Sequence, residues 1–426
     1  MSDWEVKRLD DVADRVAVRN SAGHQRVLTV SAGRGLVDQE TYFNKRVASA
    51  DLSGYWVVEP GDFVYNKSTS KKAPWGVVAR WNGDEPAVVT TLYIVFRARP
   101  GIEPDYLLHA CNGGFFFDSL KGTLREGARA HGLLNVRLPE FFGAHLDIPS
   151  LAEQHRIVDA MAAIDTQISA AVLEKDCAVH MLTKLRVALL SVGLEGDWQS
   201  EMTDLTTPDT WTENLPSGWS KDRIGTVATV RSGATPRRSE QERYFDGGNI
   251  PWVKTGDLNE RVLAATDECI TEAGYAESSV RLFPAGTILI AMYGGFAQIG
   301  RTARLGIEST TNQAISAVTS LRGDVDPAYL HHVLKAGCPK WRLVAASSRK
   351  DPNISKRDVE RFDFPLPPIR EQFEIVKILD SIESSVDALT DELIRVRTFR
   401  SSLIAALLNR EVEISESYDA QLEGVF

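Results

Sequence analysis

The chain has 426 residues, of which 43% are hydrophobic and 25% charged, with a formal net charge of −10; this is an ordinary globular composition with room for roughly two to four domain-sized units. It holds no run of about 18 apolar residues, so no membrane span is expected, and the start Met1-Ser-Asp-Trp-Glu-Val-Lys-Arg8 lacks the apolar core of a secretory signal. The four cysteines (Cys111, Cys177, Cys269, Cys338) are far apart, which argues against a disulfide framework and a zinc site and fits a reducing cytoplasm.

In chain order, strand-like runs with Gly or Pro punctuation come first: Gly54-Tyr-Trp-Val-Val-Glu-Pro60, Asp62-Phe-Val-Tyr65 and Ala87-Val-Val-Thr-Thr-Leu-Tyr-Ile-Val-Phe96. A short helix is predicted at Tyr106 to Ala110, behind Pro104. From Ile157 the apolar residues follow 4-3 spacing: Ile157, Met161, Ile164, Ile168, Ala171, then Lys175, Ala178, Leu182, Leu185 and Leu189. Such a 3.5-residue period is the mark of a coiled-coil seam, and roughly 39 residues of helix make a rod of about 58 Å. The segment Glu195 to Glu213 carries six acids and no Lys or Arg, and its polar, aperiodic character reads as a linker. A further strand is predicted at Gly286-Thr-Ile-Leu-Ile-Ala291 and a short helix at Tyr329 to Lys335. A second seam follows at Ile375, Leu379, Ile382, Val386, Leu389, Leu393, Val396, Arg400, Leu403 and Leu407. The tail Glu411 to Phe426 adds five acids and no base; without these two acidic segments the remaining charge is about +1. The net acidity is therefore weak evidence against a nucleic-acid partner.

The chain is written twice. Trp4, Leu9 and Val12-Ala13 recur as Trp219, Ile224 and Val227-Ala228 at an offset of 215. Ile102-Glu-Pro-Asp-Tyr-Leu107 recurs as Val325-Asp-Pro-Ala-Tyr-Leu330 at 223, and Pro149, Glu153-Gln154 and Ile157-Val158 recur as Pro367, Glu371-Gln372 and Ile375-Val376 at 218. Each position of the second seam is the first plus 218. Two helices sharing one register are expected to pack together, antiparallel, with the preceding domains at opposite ends of the rod; Lys175 and Arg400, at different levels, help fix register and orientation. The predicted fold is α/β: two tandem α/β domains of roughly 150 residues separated by two long helices packed as an antiparallel coiled coil, pseudo-two-fold. The blocks are 1–147, first domain; 148–194, first helix; 195–213, linker; 214–365, second domain; 366–410, second helix; and 411–426, tail.

No G-x-x-x-x-G-K-[ST], no Rossmann G-x-G-x-x-G, no methyltransferase tetrapeptide and no H-E-x-x-H occurs. Asp351-Pro-Asn-Ile354 lacks the second proline and aromatic of such a tetrapeptide, and the pair His331-His332 lies in a predicted helix and reads as structural or surface. No catalytic or metal-binding residue is expected. Polar loops instead carry the residue types that touch phosphates and base edges: Asn66 to Lys72 and Lys121 to Arg129, then Arg231 to Arg238, Tyr293-Gly-Gly295, Thr311-Asn-Gln313 and Ser347 to Lys350.

Leu215-Pro-x-x-Trp219, Ser232-Gly-x-Thr-Pro236, Tyr244-Phe245, Gly248-Asn-Ile-Pro-Trp-Val-Lys-Thr-Gly-Asp257, Tyr293-Gly294, Thr311-Asn-Gln-Ala314, Pro365-Leu-Pro-Pro-x-x-Glu-Gln372 and the helix from Ile375-Val376 to Leu408 together resemble the specificity subunit of a type I restriction-modification system. The second half resembles it closely. The first does so mainly over Pro149 to Leu190: Thr90-Thr-Leu-Tyr93 stands where Thr311-Asn-Gln-Ala314 stands later, and Ser-Gly-x-Thr-Pro is missing. The resemblance implies a non-catalytic, cytoplasmic DNA-binding subunit. On that resemblance each domain is expected to be a target-recognition domain that reads half of a bipartite, asymmetric double-stranded DNA target, with the helix pair setting the spacer. Two methyltransferase subunits carrying S-adenosylmethionine and motor-nuclease subunits are the implied partners; no cofactor is expected on this chain. Candidate DNA contacts are Arg231, Thr235, Arg237, Lys254, Tyr293, Asn312, Arg349 and Lys350 in the second half and Lys67, Lys71, Lys72, Thr91, Arg125 and Arg129 in the first. The alternative is a non-catalytic scaffold whose repeated domains bind proteins.

Overall fold

The computed structural model describes residues 4–31, 33–68, 73–121, 125–126, 134–194, 212, 215–295, 297–346, 353–415 and 417, of which 121, 125, 126, 135 and 346 by backbone alone. Contacts divide it into two compact units, Met1–Ala171 with Glu392–Phe426, and Val172–Asp391. The division runs through both long helices, Leu151–Val192 and Ile369–Leu408, instead of at their ends.

In the first unit a four-stranded sheet has the order Ala13–Val16, Ile94–Ala98, Phe63–Asn66, Val77–Arg80. In the second unit Thr229–Ser232, Ile315–Thr319, Ile288–Ala291 and Thr302–Leu305 follow the same order, and a fifth strand, Val262–Leu263, pairs in parallel on the outer edge of Thr302–Leu305. The equivalent edge, that of Val77–Arg80, is covered differently: the Asn112 side chain accepts from Val78 N and donates to Val78 O, at 3.0 and 2.9 Å, mimicking one rung of a strand pair. Beside that edge lies a cleft of about 970 Å³, lined among others by Arg34, Val77, Arg80, His109 and Arg400. One predicted strand is corrected. Ala87–Val89 pairs with Trp56–Val58, whereas Ile94–Ala98 joins the main sheet, so the run from Ala87 to Phe96 serves two sheets and turns between them at Thr90, whose carbonyl accepts from Tyr93 N.

The sequence repeat is a repeat of bonds. Pro104 and Pro327 open the helices Pro104–Asn112 and Pro327–Ala336, with Glu103 and Asp326 as side-chain caps. The fully buried Tyr106 and Tyr329 donate to the carbonyls of Asp147 and Pro365, at 2.6 and 2.8 Å. At the root of each long helix a buried glutamine ties three segments. Gln154 accepts from Glu103 N and donates to Pro149 O; Gln372 accepts from Asp326 N and donates to Pro367 O and Asp324 O, all within 3.0 Å. That is why Glu-Gln follows the proline in both halves: the amide is both donor and acceptor, and no apolar side chain of its size satisfies these backbone groups.

None of the twenty seam positions is exposed. In the first unit Ile157, Met161 and Ile164 share a core with Leu403, Ile404, Leu407 and Leu408; in the second, Leu182, Leu185 and Leu189 share one with Ile375, Leu379, Ile382 and Val386. The start of each helix thus packs on the end of the other, which makes the pair antiparallel. Arg400 crosses to Asp165 with two hydrogen bonds, of 2.5 and 2.6 Å. Lys175 does not cross; its ammonium lies on Asp176 of its own helix. The second unit's crossing ion is Arg186, bonded to Glu383. Asp165 plus 218 is Glu383, so both crossings use the same repeat position on the acidic side.

His331 and His332 are buried, as their structural reading expects: His331 Nε2 lies 3.1 Å from Thr302 Oγ1 and His332 Nε2 lies 2.9 Å from Asp380 Oδ1. No helix among the described residues is long and apolar enough to cross a membrane.

Two predictions follow from this packing. Gln372→Ala strands one backbone donor and two carbonyls, and is expected to cost about 1–3 kcal/mol, read as a lowered urea midpoint; an unchanged midpoint contradicts the latch. Burial lowers the pKa of His331 and of His332, in the latter against the Asp380 hydrogen bond. Their folded forms therefore bind fewer protons than the unfolded chain, and the stability they contribute is complete above the ordinary value of 6.5 and lost as pH falls below it. The Asp380 and Glu383 pKa values are lowered, so both carboxylates stay charged through that window. Melting temperature is expected to fall from about pH 7.5 to about pH 5.5, and less steeply in a His331→Gln/His332→Asn variant.

Candidate nucleic-acid interface

In the second unit, motifs scattered over about eighty residues meet at one end of the main sheet. Strand register sets this: Ser232 pairs with Ser316 and Ala291 with Ile315, so the ends of Thr229–Ser232 and Ile288–Ala291 and the start of Ile315–Thr319 coincide. From that end emerge the loops bearing Thr235 and Arg237, Tyr293, and Asn312. The loops are stitched together. Ala234 N donates to Thr311 O, Asn312 N to Val253 O and Met292 N to Ala314 O, at 2.8 to 2.9 Å. Trp252, paired in parallel with Thr310, is buried and donates its indole N–H to Ala234 O at 3.2 Å. This accounts for three motifs at once. Ser232-Gly-x-Thr-Pro236 needs glycine because a Cβ on Gly233 would stand 2.2 Å from both Asn312 O and Thr311 Oγ1. Thr311-Asn-Gln-Ala314 and Ile250-Pro-Trp-Val253 supply the strands on which that loop lies.

Of the candidate contacts, Arg231, Arg237 and Tyr293 are exposed and Thr235, Lys254 and Asn312 half-buried. Asn312 is partly committed to the loop itself, its Oδ1 accepting from Ala314 N at 3.1 Å. Lys254 lies 3.2 Å from Glu268 Oε2. Arg349 and Lys350 lie outside the described residues; Ile354, just beyond them, donates to Met292 O at 3.1 Å. Glu268 is a residue that sequence reasoning missed. It holds Arg238 as well as Lys254, and Arg238 stacks over Phe245 and Trp252, 4.2 and 4.7 Å from the ring centres. Arg238 stood in a quoted loop, but nothing in the local pattern around Glu268 marks it as its partner.

The first unit places two of its candidates, Lys67 and Thr91, at the equivalent sheet end. Tyr65 pairs with Ile94, so Lys67, half-buried just after its strand, and Thr91, exposed just before the next, share one end. Leu134 N donates to Lys67 O at 3.0 Å, and the backbone of Arg125 pairs with Asn135 in a short ribbon. Lys71, Lys72 and Arg129 lie outside the described residues.

The ionic cluster of the second unit, on the other hand, joins the helix Pro327–Ala336 to the two long helices. His332, Asp380 and Glu383 bring potential ligand atoms within 4.8 Å of one another. Glu383, however, already carries Lys335 at 2.8 and 2.9 Å, Arg186 at 2.5 Å and Arg261 at 3.6 Å, a cationic surround that opposes a metal ion.

Comparison with known proteins agrees with these motifs. Residues 216–396 match the family described as type I restriction modification DNA specificity domain. The chain is 26% identical over 174 residues to the EcoR124I/EcoR124II specificity subunit of Escherichia coli, covering 40% of this chain and 43% of that protein. It is 28% identical over 177 residues to the MjaIX specificity subunit of Methanocaldococcus jannaschii, covering 41% and 40%. The chain thus spans less than half the length of these curated relatives. A similarity of fold extends further: a chain solved in work on complex assembly and conformational transition of the type I R-M system superposes over 96% of this chain and 97% of its own, with a TM-score of 0.60 at 20% identity. The sequence likeness thus lies in residues 216–396, and the likeness of fold extends over nearly the full chain.

Gly233→Ala is expected to push the Ser232–Pro236 loop off Thr311 and Asn312 at a cost of about 1–3 kcal/mol, the usual range for overpacking. A melting curve superposable on that of the parent contradicts the close approach.

Proposed function

We propose that this chain is the DNA specificity subunit of a type I restriction-modification system, directing methyltransferase and motor-nuclease partners to a bipartite, asymmetric target. The observation that carries this reading is the repeated sheet end. In both units chain with residue types suited to phosphates and base edges, Lys67 and Thr91 in the first and Thr235, Arg237, Tyr293 and Asn312 in the second, leaves the equivalent end of an equivalent sheet, and in the second unit it lies within the residues that match the specificity-domain family. Each unit reads one half-site, Arg, Asn and Thr side chains meeting base edges and phosphates, and the antiparallel helices set the spacer. S-adenosylmethionine is bound by the methyltransferase partner, and this chain performs no chemistry.

Methylome sequencing of a host with and without the gene tests the reading: a bipartite methylated motif should vanish on deletion, and a motif that persists removes the proposal. One heptad inserted into each long helix lengthens the pair by about 10.5 Å, roughly three base pairs of B-DNA. The methylated motif is expected to gain spacer of that order with both half-sites unchanged; an unchanged spacer contradicts the ruler.

A further inference from the structure

Of the two cations that Glu268 holds, Arg238 is the fixed one. Its guanidinium makes two bonds to the Glu268 carboxylate, one of them 3.0 Å, and stacks on two aromatic rings. Lys254 is the movable one, with a flexible stem, a side chain one-third exposed, and its ammonium 3.2 Å from Glu268 Oε2. Glu268 itself is held in place, since its carbonyl accepts from Trp252 N at 3.0 Å and from Thr266 Oγ1 at 2.8 Å. The Arg238 hydrogen bonds, opposed by burial and helped by Lys254, keep its pKa low, so the carboxylate is charged at neutral pH. A cation already neutralised by a carboxylate releases no counterion from DNA until that carboxylate is displaced.

We propose that Glu268 is an internal competitor for DNA phosphate: it occupies Lys254 in the free chain and screens the candidate face against non-target DNA. This rests on the reading of Lys254 as a DNA contact. Target DNA, held in register by base contacts, drives the exchange of Lys254 from carboxylate to phosphate. Random DNA offers only the phosphate and gains little by the swap. Arg238 stays with Glu268 in both cases and keeps the Ser232–Pro236 loop on its aromatic bed.

The test measures the chain assembled with its methyltransferase partner, on a duplex carrying the methylated motif and on a random-sequence duplex, over a range of potassium chloride. Glu268→Gln is expected to raise random-duplex affinity several-fold, to steepen its salt slope by about 0.9 for each phosphate newly neutralised, and to lower the target-to-random ratio. Adding Lys254→Gln should restore the parental random-duplex slope, whereas Lys254→Gln alone should change that slope little and flatten the target-duplex slope by about 0.9. A salt bridge that only braces the fold would lower the melting temperature and leave slope and ratio where they were, and that result overturns the proposal. So does a Lys254→Gln effect of equal size in both backgrounds. If Glu268→Gln does not fold, Glu268→Asp, one methylene short of spanning both cations, should move slope and ratio the same way by less; no movement overturns the proposal. If the parental complex fails to distinguish the two duplexes, the specificity reading fails and takes the competitor with it; if it distinguishes them while Glu268→Gln is neutral, the competitor alone fails.

Discussion

The antiparallel packing of the two long helices is the constraint on which the rest of the structure depends, because each compact unit owns half of each helix. The first unit cannot complete its core from contiguous chain, since Leu407 closes the core around Met161; in the second, whose chain is continuous, Leu189 closes the core around Ile375. Apolar seams alone tolerate slips of one heptad. The crossing pairs Asp165 with Arg400 and Glu383 with Arg186 oppose such slips, since a shift of one heptad would leave partly buried charges without partners. The two pairs differ in setting. Glu383 is buried and shared with Lys335 and Arg261, while the Asp165 side chain is about half exposed, so the second unit's crossing has more to lose when one partner is removed.

On this frame the two units are alike in what holds them and unlike in what they present. The tyrosine, the capped proline helix and the glutamine latch occur in both with matching partners. The sheet edges diverge: a fifth strand closes one, and the Asn112 amide caps a single rung of the other beside an open cleft. Loops at the candidate end of the sheet diverge as well, with Thr90-Thr-Leu-Tyr93 in place of Thr311-Asn-Gln-Ala314. Shared roots with divergent tips are what the proposed reading of two different half-sites requires, since in that reading the roots carry stability and the tips carry contacts.

Much of this was legible in the sequence because it is periodic or repeated. The 3.5-residue seam gave both helices, and one offset of 218 gave their common register and the pairing. What escaped was what depends on distant residues with no periodic signal. Arg186 was unremarkable in sequence beside the seam residue Leu185, yet it meets Glu383 almost two hundred residues away. Lys175, which did break the seam, lies on its neighbour Asp176. The turn at Thr90 has no glycine or proline to announce it, so one run read as one strand feeds two sheets. At the candidate face the motifs located the loops, but Glu268 and its hold on Lys254 became visible only once the strands were in register.

The most direct test of the account is an exchange of residues 220–366, the second unit without its helices, for the corresponding segment of a specificity subunit with a different target, followed by methylome sequencing. The account predicts that one half of the methylated motif changes while the other half and the spacer stay as they were. A motif in which both halves change, or in which neither does, contradicts it.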